Sequence, residues 1–479
     1  MKSIKMALLA GAAVAVTGAA AHADELQDLK AQMEVLNARV AAMETAPAVP
    51  AGYKLLAVSK GDALQIPGLD QSHRERFTQG DNATIISVLP TADAPAGTTI
   101  SWSGYVRAAI IYNGNDDSAK VSRYSKYNSS GSSYYKYTSA KASDDTDDWD
   151  VKARGQLRVV ATTDTAVGEV GVELKLRADM DGNGSSDVYV KTAWGYWAMT
   201  PELTLGGGYA GTLGNIGYGY DGACSCYYTD NADVGFDPGD TTQMRLSYAS
   251  GPFSAAVAIE DASTSGGDLN GDNLGVAGEI KYSGDSFSGE ISGVYRAVNS
   301  DDYDRFDVNG NQIYDASVDN LWQIGAGVGF NLGDIASISL AAALGEGPYQ
   351  TVNDQTGNID NNFGVNNKWW GVSGLASANL SDTVHAEAGA GYKHREGDSY
   401  KTTTWKYDGF DYDTYAFLGG LYYTPVDQLT IGLEGEWYTQ SWDFQRTSNA
   451  NYSESYTYKD KLNVDRDNWT VDLVSVWRF

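Results

Sequence analysis

Asn468-Trp-Thr-Val-Asp-Leu-Val-Ser-Val-Trp-Arg-Phe479 is the segment that most clearly predicts the architecture of this protein. Its alternate residues divide into an apolar face, which begins and ends in aromatic side chains, and a face of mixed character. A period of two is typical of a β-strand whose two faces meet different surroundings. The apolar face holds Trp469, Val471, Leu473, Ser475, Trp477 and Phe479, and the mixed face holds Thr470, Asp472, Val474, Val476 and Arg478.

Residues 1–23, at the other end of the chain, have the pattern of a secretory signal peptide. Lys2 and Lys5 supply the positive start, and Met6 to Ala20 is an apolar run too short for a membrane span. Ala21-His22-Ala23 fits the small-x-small rule for cleavage. These features predict export from the cytoplasm.

The charge balance excludes one class of partner. The chain has 34 Lys and Arg against 62 Asp and Glu, a net charge of −28. Nucleic acid is therefore not expected as a partner, because phosphates require a basic footprint. After residue 23 no apolar run approaches the roughly 20 residues of a membrane helix, whereas a membrane β-strand needs only about ten residues with alternate ones apolar.

Residues 24–46 predict a helix in the periplasm. Its apolar residues are spaced alternately three and four apart, which is the seam of a coiled coil, and Pro47 and Pro50 end it. A single amphipathic helix on the surface of its own chain remains an alternative. We interpret residues 47–99 as a periplasmic connector or small accessory element. The seam residues are Leu26, Leu29, Met33, Leu36, Val40 and Met43.

Residues 100–479 divide into about sixteen segments with period-two alternation, joined by connections that are alternately short and mostly long. Short turns at one end and long loops at the other are typical of a transmembrane β-barrel. We therefore predict an all-β fold, a transmembrane antiparallel β-barrel of about sixteen strands with a short amino-terminal coiled coil. A soluble β-sandwich or propeller is the alternative. The long predicted loops include residues 113–148, 212–242, 396–410 and 441–467.

Several of these segments resemble the alphaproteobacterial porin family, and the final strand with its terminal Phe resembles the last strand of outer-membrane barrels. The resemblance covers roughly residues 100–479. It implies a homotrimer in the outer membrane of a Gram-negative bacterium, with the third long loop folded into each lumen as a constriction. The heptads resemble those of trimeric channels with a periplasmic coiled coil. The segments are Trp102-Ser-Gly-Tyr-Val-Arg107, Arg154-Gly-Gln-Leu-Arg158, Leu246-Ser-Tyr-Ala-Ser-Gly-Pro-Phe253 and Ile324-Gly-Ala-Gly-Val-Gly-Phe330.

A porin performs no reaction and needs a water-filled hole with an electric field across it. The predicted strands place basic side chains on the face opposite the apolar one. We expect them to form a pore-lining basic wall, although pairing with inward acidic groups is an equally simple interpretation for some of them. The residues are Arg107, Lys152, Arg154, Arg158, Lys175, Arg177 and Arg245.

The third long loop, residues 212–242, is the candidate constriction loop. Its glycines permit close packing inside a lumen, and its aspartates would oppose the basic wall. Such an arrangement would orient polar solutes and penalise apolar ones. An ordinary surface loop is the simpler alternative. The aspartates are Asp221, Asp230, Asp233, Asp237 and Asp240.

Two further motifs are weaker. Cys224 and Cys226 permit a local disulfide in the oxidising periplasm, free thiols or, least plausibly, a metal site. A segment that begins at Asp179 matches the front of a calcium loop but has Val190 where the loop needs glutamate. Turn-forming residues explain it without calcium, and we expect no other cofactor. The calcium candidates are Asp179, Asp181, Asn183 and Asp187.

The leading functional prediction is passive diffusion of small hydrophilic solutes and ions through an outer-membrane porin. One alternative is a channel selective for a sugar or an organic acid. Another is a structural envelope protein that the barrel anchors and whose helix contacts the cell wall. No Ser/His/Asp arrangement is apparent in the sequence, so an enzyme is not expected.

Overall fold

The computed structural model describes residues 56–69, 77–78, 83–88, 97–129, 132–180, 186–261, 274–297, 305–306, 312–314, 320–349, 365–397, 399–401, 405–448 and 456–479. The predicted signal peptide and coiled-coil helix lie outside these ranges. The chain falls into two compact units, Met1–Ala57 with Ile86–Thr98 and Val58–Ile85 with Thr99–Phe479. The second unit contains the features that bear on function.

Strands dominate the described part of the chain. A short helix, Gly219–Ala223 (α1), lies between the seventh and eighth strands. No helix in the described ranges has the length and apolar character to cross a membrane. The strands are Leu56–Gly61 (β1), Ala83–Val88 (β2), Thr98–Ser129 (β3), Ser132–Thr165 (β4), Gly168–Met180 (β5), Ser186–Ala198 (β6), Leu203–Gly211 (β7), Asp240–Ser250 (β8), Phe253–Asp261 (β9), Leu274–Ser283 (β10), Phe287–Arg296 (β11), Arg305–Phe306 (β12), Gln312–Tyr314 (β13), Leu321–Leu332 (β14), Ala336–Tyr349 (β15), Val365–Ser381 (β16), Val384–Gly397 (β17), Tyr400–Lys401 (β18), Trp405–Val426 (β19), Leu429–Ser448 (β20) and Tyr456–Arg478 (β21).

Sixteen of these strands form a closed antiparallel barrel, which confirms the predicted barrel and its number of strands. From β3 to β21 each barrel strand lies beside the next, with β12, β13 and β18 outside the succession. The barrel closes where β21 pairs with β3, in a register that runs from Tyr456 opposite Tyr127 to Arg478 opposite Tyr105. Closure leaves no unpaired edge, which is the condition for crossing lipid with strands.

The outer face of the barrel is apolar. In β9, Val257 and Ile259 are 56% and 55% exposed, whereas Ala258 between them is buried. In β21 the predicted apolar face is the exposed one, and Val474 and Val476 lie on the buried inner face. This distribution is the reverse of a soluble protein and fits lipid contact.

Aromatic side chains gather towards the two ends of the outer face. Phe253 packs on Tyr282 near the short turns, with ring centroids 5.0 Å apart. Towards the long-loop end, Trp370 lies 5.2 Å from Tyr392, and Tyr392 lies 4.7 Å from Tyr415. Amphipathic rings at both margins of an apolar belt are typical of outer-membrane barrels.

The structure corrects several predicted loops. Residues 113–148 are not an irregular loop, because β3 extends to Ser129 and β4 begins at Ser132. Likewise β20 extends to Ser448 and β21 begins at Tyr456, inside the predicted loop 441–467. The hydrogen-bonded ladder continues beyond the apolar belt, where the outward positions of the strands are polar, as at Asn463 and Asp465 of β21, and the outward apolar face that marks a membrane strand is lost.

The short turns follow the prediction more closely. Two residues join β8 to β9 and three join β14 to β15. Gly251 and Gly333 lie in these turns with φ of +56° and +64°, a conformation that glycine adopts without a steric penalty. The turns that join β8 to β9 and β14 to β15 lie at one end of the barrel, which we call the short-turn end.

Candidate functional site in the barrel lumen

Basic side chains cover part of the inner wall. Arg107 on β3 is 3% exposed and points inward, whereas its neighbour Val106 is 49% exposed on the outer face. The same alternation places the other predicted basic residues on the inner face, because β4, β5 and β8 also expose apolar residues on the outside. We call the set the basic wall; it comprises Arg107, Lys152, Arg154, Arg158, Lys175, Arg177 and Arg245.

Acidic residues of β5 compensate part of this wall. The Arg158 guanidinium donates to Glu173 over 2.6 Å, and Lys175 Nζ lies 3.6 Å from the other oxygen of Glu173. Arg154 donates to both oxygens of Asp179, with 3.1 Å between Nη2 and Oδ2. Two of the basic residues are therefore fixed by ion pairs that cross from β4 to β5.

Other basic residues are held by neutral partners. Arg245 Nη2 donates to the carbonyl oxygen of Gly211 over 2.9 Å. The Arg107 guanidinium carbon lies 4.4 Å from the centre of the Tyr228 ring, a cation–π contact that positions the charge without neutralising it.

Residues 212–239, which we call the lumen loop, lie against the opposite inner wall. This segment ends where β8 begins at Asp240, slightly earlier than the predicted 242. Its backbone N–H groups donate to inward carboxylates. Gly217 N–H donates to Glu290 over 2.5 Å, and Ser225 N–H donates to Glu387 over 2.8 Å. The loop is therefore attached through groups that any sequence would offer.

Two glutamates of β20 hold the middle of the lumen loop. Glu434 accepts from Tyr227 N–H over 2.9 Å and from the Thr229 hydroxyl over 3.0 Å. Glu436 accepts from the Tyr220 hydroxyl over 2.5 Å. Both glutamates are at most 3% exposed. Neither glutamate was predicted from the sequence, although both occupy alternate positions on the polar face of β20.

The predicted loop aspartates have different partners. Asp233 forms ion pairs with Lys393, at 3.4 Å, and with Arg395. Burial alone would raise the pKa of Asp233, but these two cations outweigh burial and hold that pKa below its ordinary value. Asp240 pairs with Lys191. Asp237 accepts from Gly239 N–H over 2.9 Å, and burial raises its pKa.

One lumen cavity of about 320 Å³ brings most of the predicted site residues together. It lies between the basic wall and the lumen loop. Arg158, Lys152 and Asp233 do not line it. The predicted residues that do are Arg107, Arg154, Lys175, Arg177, Arg245, Asp221, Asp230, Asp237 and Asp240.

The two weaker motifs have separate outcomes. Cys224 and Cys226 are joined in a disulfide and are fully buried in the lumen loop. The calcium candidate stays a prediction, because residues 181–185 lie outside the described residues. The carboxylate of Asp179 is occupied by Arg154 and by the hydroxyl of Tyr189, which donates to it over 2.8 Å.

Comparison with known proteins identifies the family of this chain. The family model described as "Porin subfamily" matches residues 96–465. The chain belongs to the porin family. It is an outer-membrane porin, a channel for passive diffusion. Membership of this family indicates a channel and not an enzyme.

Several solved structures are similar to this chain. The outer membrane channel DcaP of Acinetobacter baumannii is 14% identical, with 80% of this chain and 97% of that chain covered and a TM-score of 0.46. OmpT of Vibrio cholerae is 12% identical, with 80% and 98% covered and a TM-score of 0.44. The anion-selective porin from Comamonas acidovorans is 12% identical, with 77% and 99% covered and a TM-score of 0.41. No curated protein matches the porin described here.

Proposed function

We propose that this porin conducts small hydrophilic solutes through the space between the basic wall and the lumen loop, with little preference for cations or anions. The lining of the lumen cavity carries the proposal. Among the described residues, seven Lys and Arg side chains and seven Asp and Glu side chains line it. Opposed charges of near-equal number orient dipolar solutes and hold water, which penalises apolar solutes.

The net charge of −28 does not set the ion preference of the pore. At physiological ionic strength salt screens exposed charges beyond about 8 Å, so acidic groups outside the lumen act weakly on an ion within it. The ion preference is set by the charges that face the solute. In the described part of the cavity lining, seven cationic side chains balance seven acidic ones.

Single-channel recording in planar bilayers tests this proposal. We expect stable ohmic channels whose conductance rises in proportion to the salt concentration. In a KCl gradient the reversal potential should lie near zero. A reversal potential close to the value for a perfectly cation-selective or anion-selective pore would contradict the balanced field. A protein that inserts but carries no current would contradict the diffusion function itself.

A channel selective for an organic acid is the second candidate, and one observation favours it over a sugar channel. A second cavity, of about 520 Å³, is lined by three cations, two carboxylates and three tyrosines, namely Arg107, Lys152, Arg154, Asp179, Asp230, Tyr189, Tyr227 and Tyr228. An excess of one cation beside three phenol groups suits a carboxylate with an apolar body. Such a solute at low concentration should interrupt the current in a selective channel and leave the current of a general channel unchanged.

The proposal extends to assembly and location. We infer that residues 24–46 form a periplasmic coiled coil, as their heptad spacing suggests, and that the porin is a homotrimer, as its resemblance to the alphaproteobacterial porins implies. Tethering by three barrels would favour a coiled coil that is too short to be stable alone. The sequence segments quoted above also favour an alphaproteobacterial origin.

A further inference from the structure

A segment that precedes the barrel lies inside it. Residues 61–69 together with Phe77 and Thr78, which we call the amino-terminal plug, offer backbone carbonyl groups to inward arginines. Arg158 Nη1 donates to the carbonyl of Leu64 over 2.8 Å, and Arg245 Nη1 donates to that of Gly68 over 2.9 Å.

A third arginine holds the remaining part of the plug. Arg478, near the end of β21, donates to the carbonyl groups of Phe77, over 2.9 Å, and Thr78. The three arginines lie on β4, β8 and β21, so the plug is bound from three parts of the barrel wall. Carbonyl groups leave the guanidinium charges in place but occupy donors that would otherwise face water.

Apolar contacts accompany these bonds. Ile66 is 4% exposed and packs in a cluster with Val160, Trp194 and Tyr196, all of which point inward. Phe77 lies with its ring centroid 5.2 Å from that of Tyr422. Inward apolar clusters are unexpected in a water-filled lumen, whose wall is normally polar. The plug explains them, since it covers them from the water.

Gly68 shows how closely the plug approaches the wall. Its φ of +72° is a left-handed conformation, and a Cβ atom built there would lie 2.6 Å from the hydroxyl oxygen of Ser247. Only glycine satisfies both conditions. The amide of Leu64 lies 3.4 Å from the hydroxyl of Ser101, which is 2% exposed.

The plug lies beside the space through which we expect solutes to diffuse. Its contacts with Ser101, Arg158 and Arg478 are near the short-turn end of the barrel, where β3 begins and where β4 and β21 end. Leu69 and Thr78 line the lumen cavity, so the plug forms one boundary of the space in which we place the diffusing solute. A solute that moves from the lumen cavity towards the short-turn end therefore meets the plug.

We propose that the amino-terminal plug is a second size-selecting constriction, in series with the lumen loop and nearer the short-turn end. It limits the unit conductance and the largest solute that crosses. This role rests on the diffusion function and adds the residues that set its size limit. It replaces our interpretation of this part of residues 47–99 as a connector or accessory element outside the channel.

The test displaces the plug from the full-length porin. Ile66→Asp places a carboxylate in the apolar cluster, and Val58→Asp is the matched control because Val58 is 68% exposed. We expect Ile66→Asp to raise the unit conductance roughly twofold and to admit larger sugars in liposome swelling, since a wider pore passes more ions and larger solutes. The control should behave as wild type.

A thiol probe reports displacement independently of current. The chain has two cysteines, both in the disulfide, so Ser101→Cys introduces a single free thiol. Its labelling by a charged maleimide should be slow alone and fast when combined with Ile66→Asp. Fast labelling without a change in conductance overturns the proposal, because the plug then leaves without widening the path.

A second variant decides the question if Ile66→Asp leaves the plug seated or prevents folding. In this variant, glycine and serine replace residues 61–69 at the same length. Wild-type conductance and wild-type size limit in this chain would refute the plug as a constriction. The diffusion function is judged separately, from the current that the wild-type porin carries.

Discussion

Glu434 is the position at which the attachment of the lumen loop is most open to test. Its carboxylate accepts hydrogen bonds from the Tyr227 and Tyr228 amides, the Thr229 hydroxyl and the Tyr422 hydroxyl, at 2.9 to 3.2 Å. No chain connectivity enforces these contacts, since 205 or more residues separate Glu434 from its partners in the loop. Glu434→Ala should release the middle of the loop.

The size of the effect follows from the four donors that lose their acceptor. An unsatisfied buried donor costs about 1–3 kcal/mol, so the lower limit for four is roughly 4 kcal/mol, or about a thousandfold in the equilibrium between seated and released loop. Water that enters the gap reduces this cost. Glu434→Gln should have a smaller effect, because an amide oxygen in the place of Oε2 still accepts from Tyr228 and Thr229.

Single-channel recording at fixed voltage measures the result. We expect open-channel noise to increase in the order wild type, Glu434→Gln, Glu434→Ala, because a loop that leaves and returns modulates the current. Glu396→Ala is the control, since the side chain of Glu396 is 68% exposed. If Glu434→Ala has the noise and unit conductance of wild type, the loop does not depend on this carboxylate and the reasoning fails.

Three further predictions concern charge and assembly. Arg154→Ala should move the reversal potential towards cation preference, whereas Arg158→Ala, whose side chain does not line the cavity, should move it less; equal shifts would remove the distinction. Because burial raises the pKa of Asp237, a falling pH should neutralise this residue early and reduce cation preference, and Asp237→Asn should abolish that part of the pH response. An unchanged pH response in Asp237→Asn would show that another group is responsible. Deletion of residues 24–46 should lower the thermal stability of the oligomer in gel assays and preserve unit conductance; a large fall in conductance would place these residues in the path of the solute.

The barrel was predictable from sequence because lipid imposes a strict rule on every second residue. A strand such as β9 exposes Val257 and Ile259, and a polar residue at either position would meet hydrocarbon. The rule applies only to the part of a strand that contacts lipid. Residues 113–129 and 132–148 contain few apolar residues and no apolar alternation, so their pairing as a long hairpin left no periodic signal.

The basic side of the site was predictable for the same reason, because inward positions of β3 to β5 follow from the outward ones. The two glutamates that hold the lumen loop could not be predicted in this way. Glu434 and Glu436 are recognisable as inward, but several of their partners are backbone amides, which carry no sequence signature. Only the folded chain shows which amides face which carboxylate.

Apolar residues on the inner face of a strand are a further signal in the sequence, because they indicate that another segment covers the wall there. The mixed face of the final strand contains Val474 and Val476, and both are fully buried on the lumen side. Water against these side chains would be unfavourable by about 25 cal/mol per Å² of exposed apolar surface, so their presence requires a cover. In this porin Tyr227 of the lumen loop and Phe77 of the plug pack in the same cluster. An apolar pair on the inner face of a membrane strand therefore marks a place where another part of the chain enters the lumen, and the final strand carried that information beside the pattern that identified the barrel.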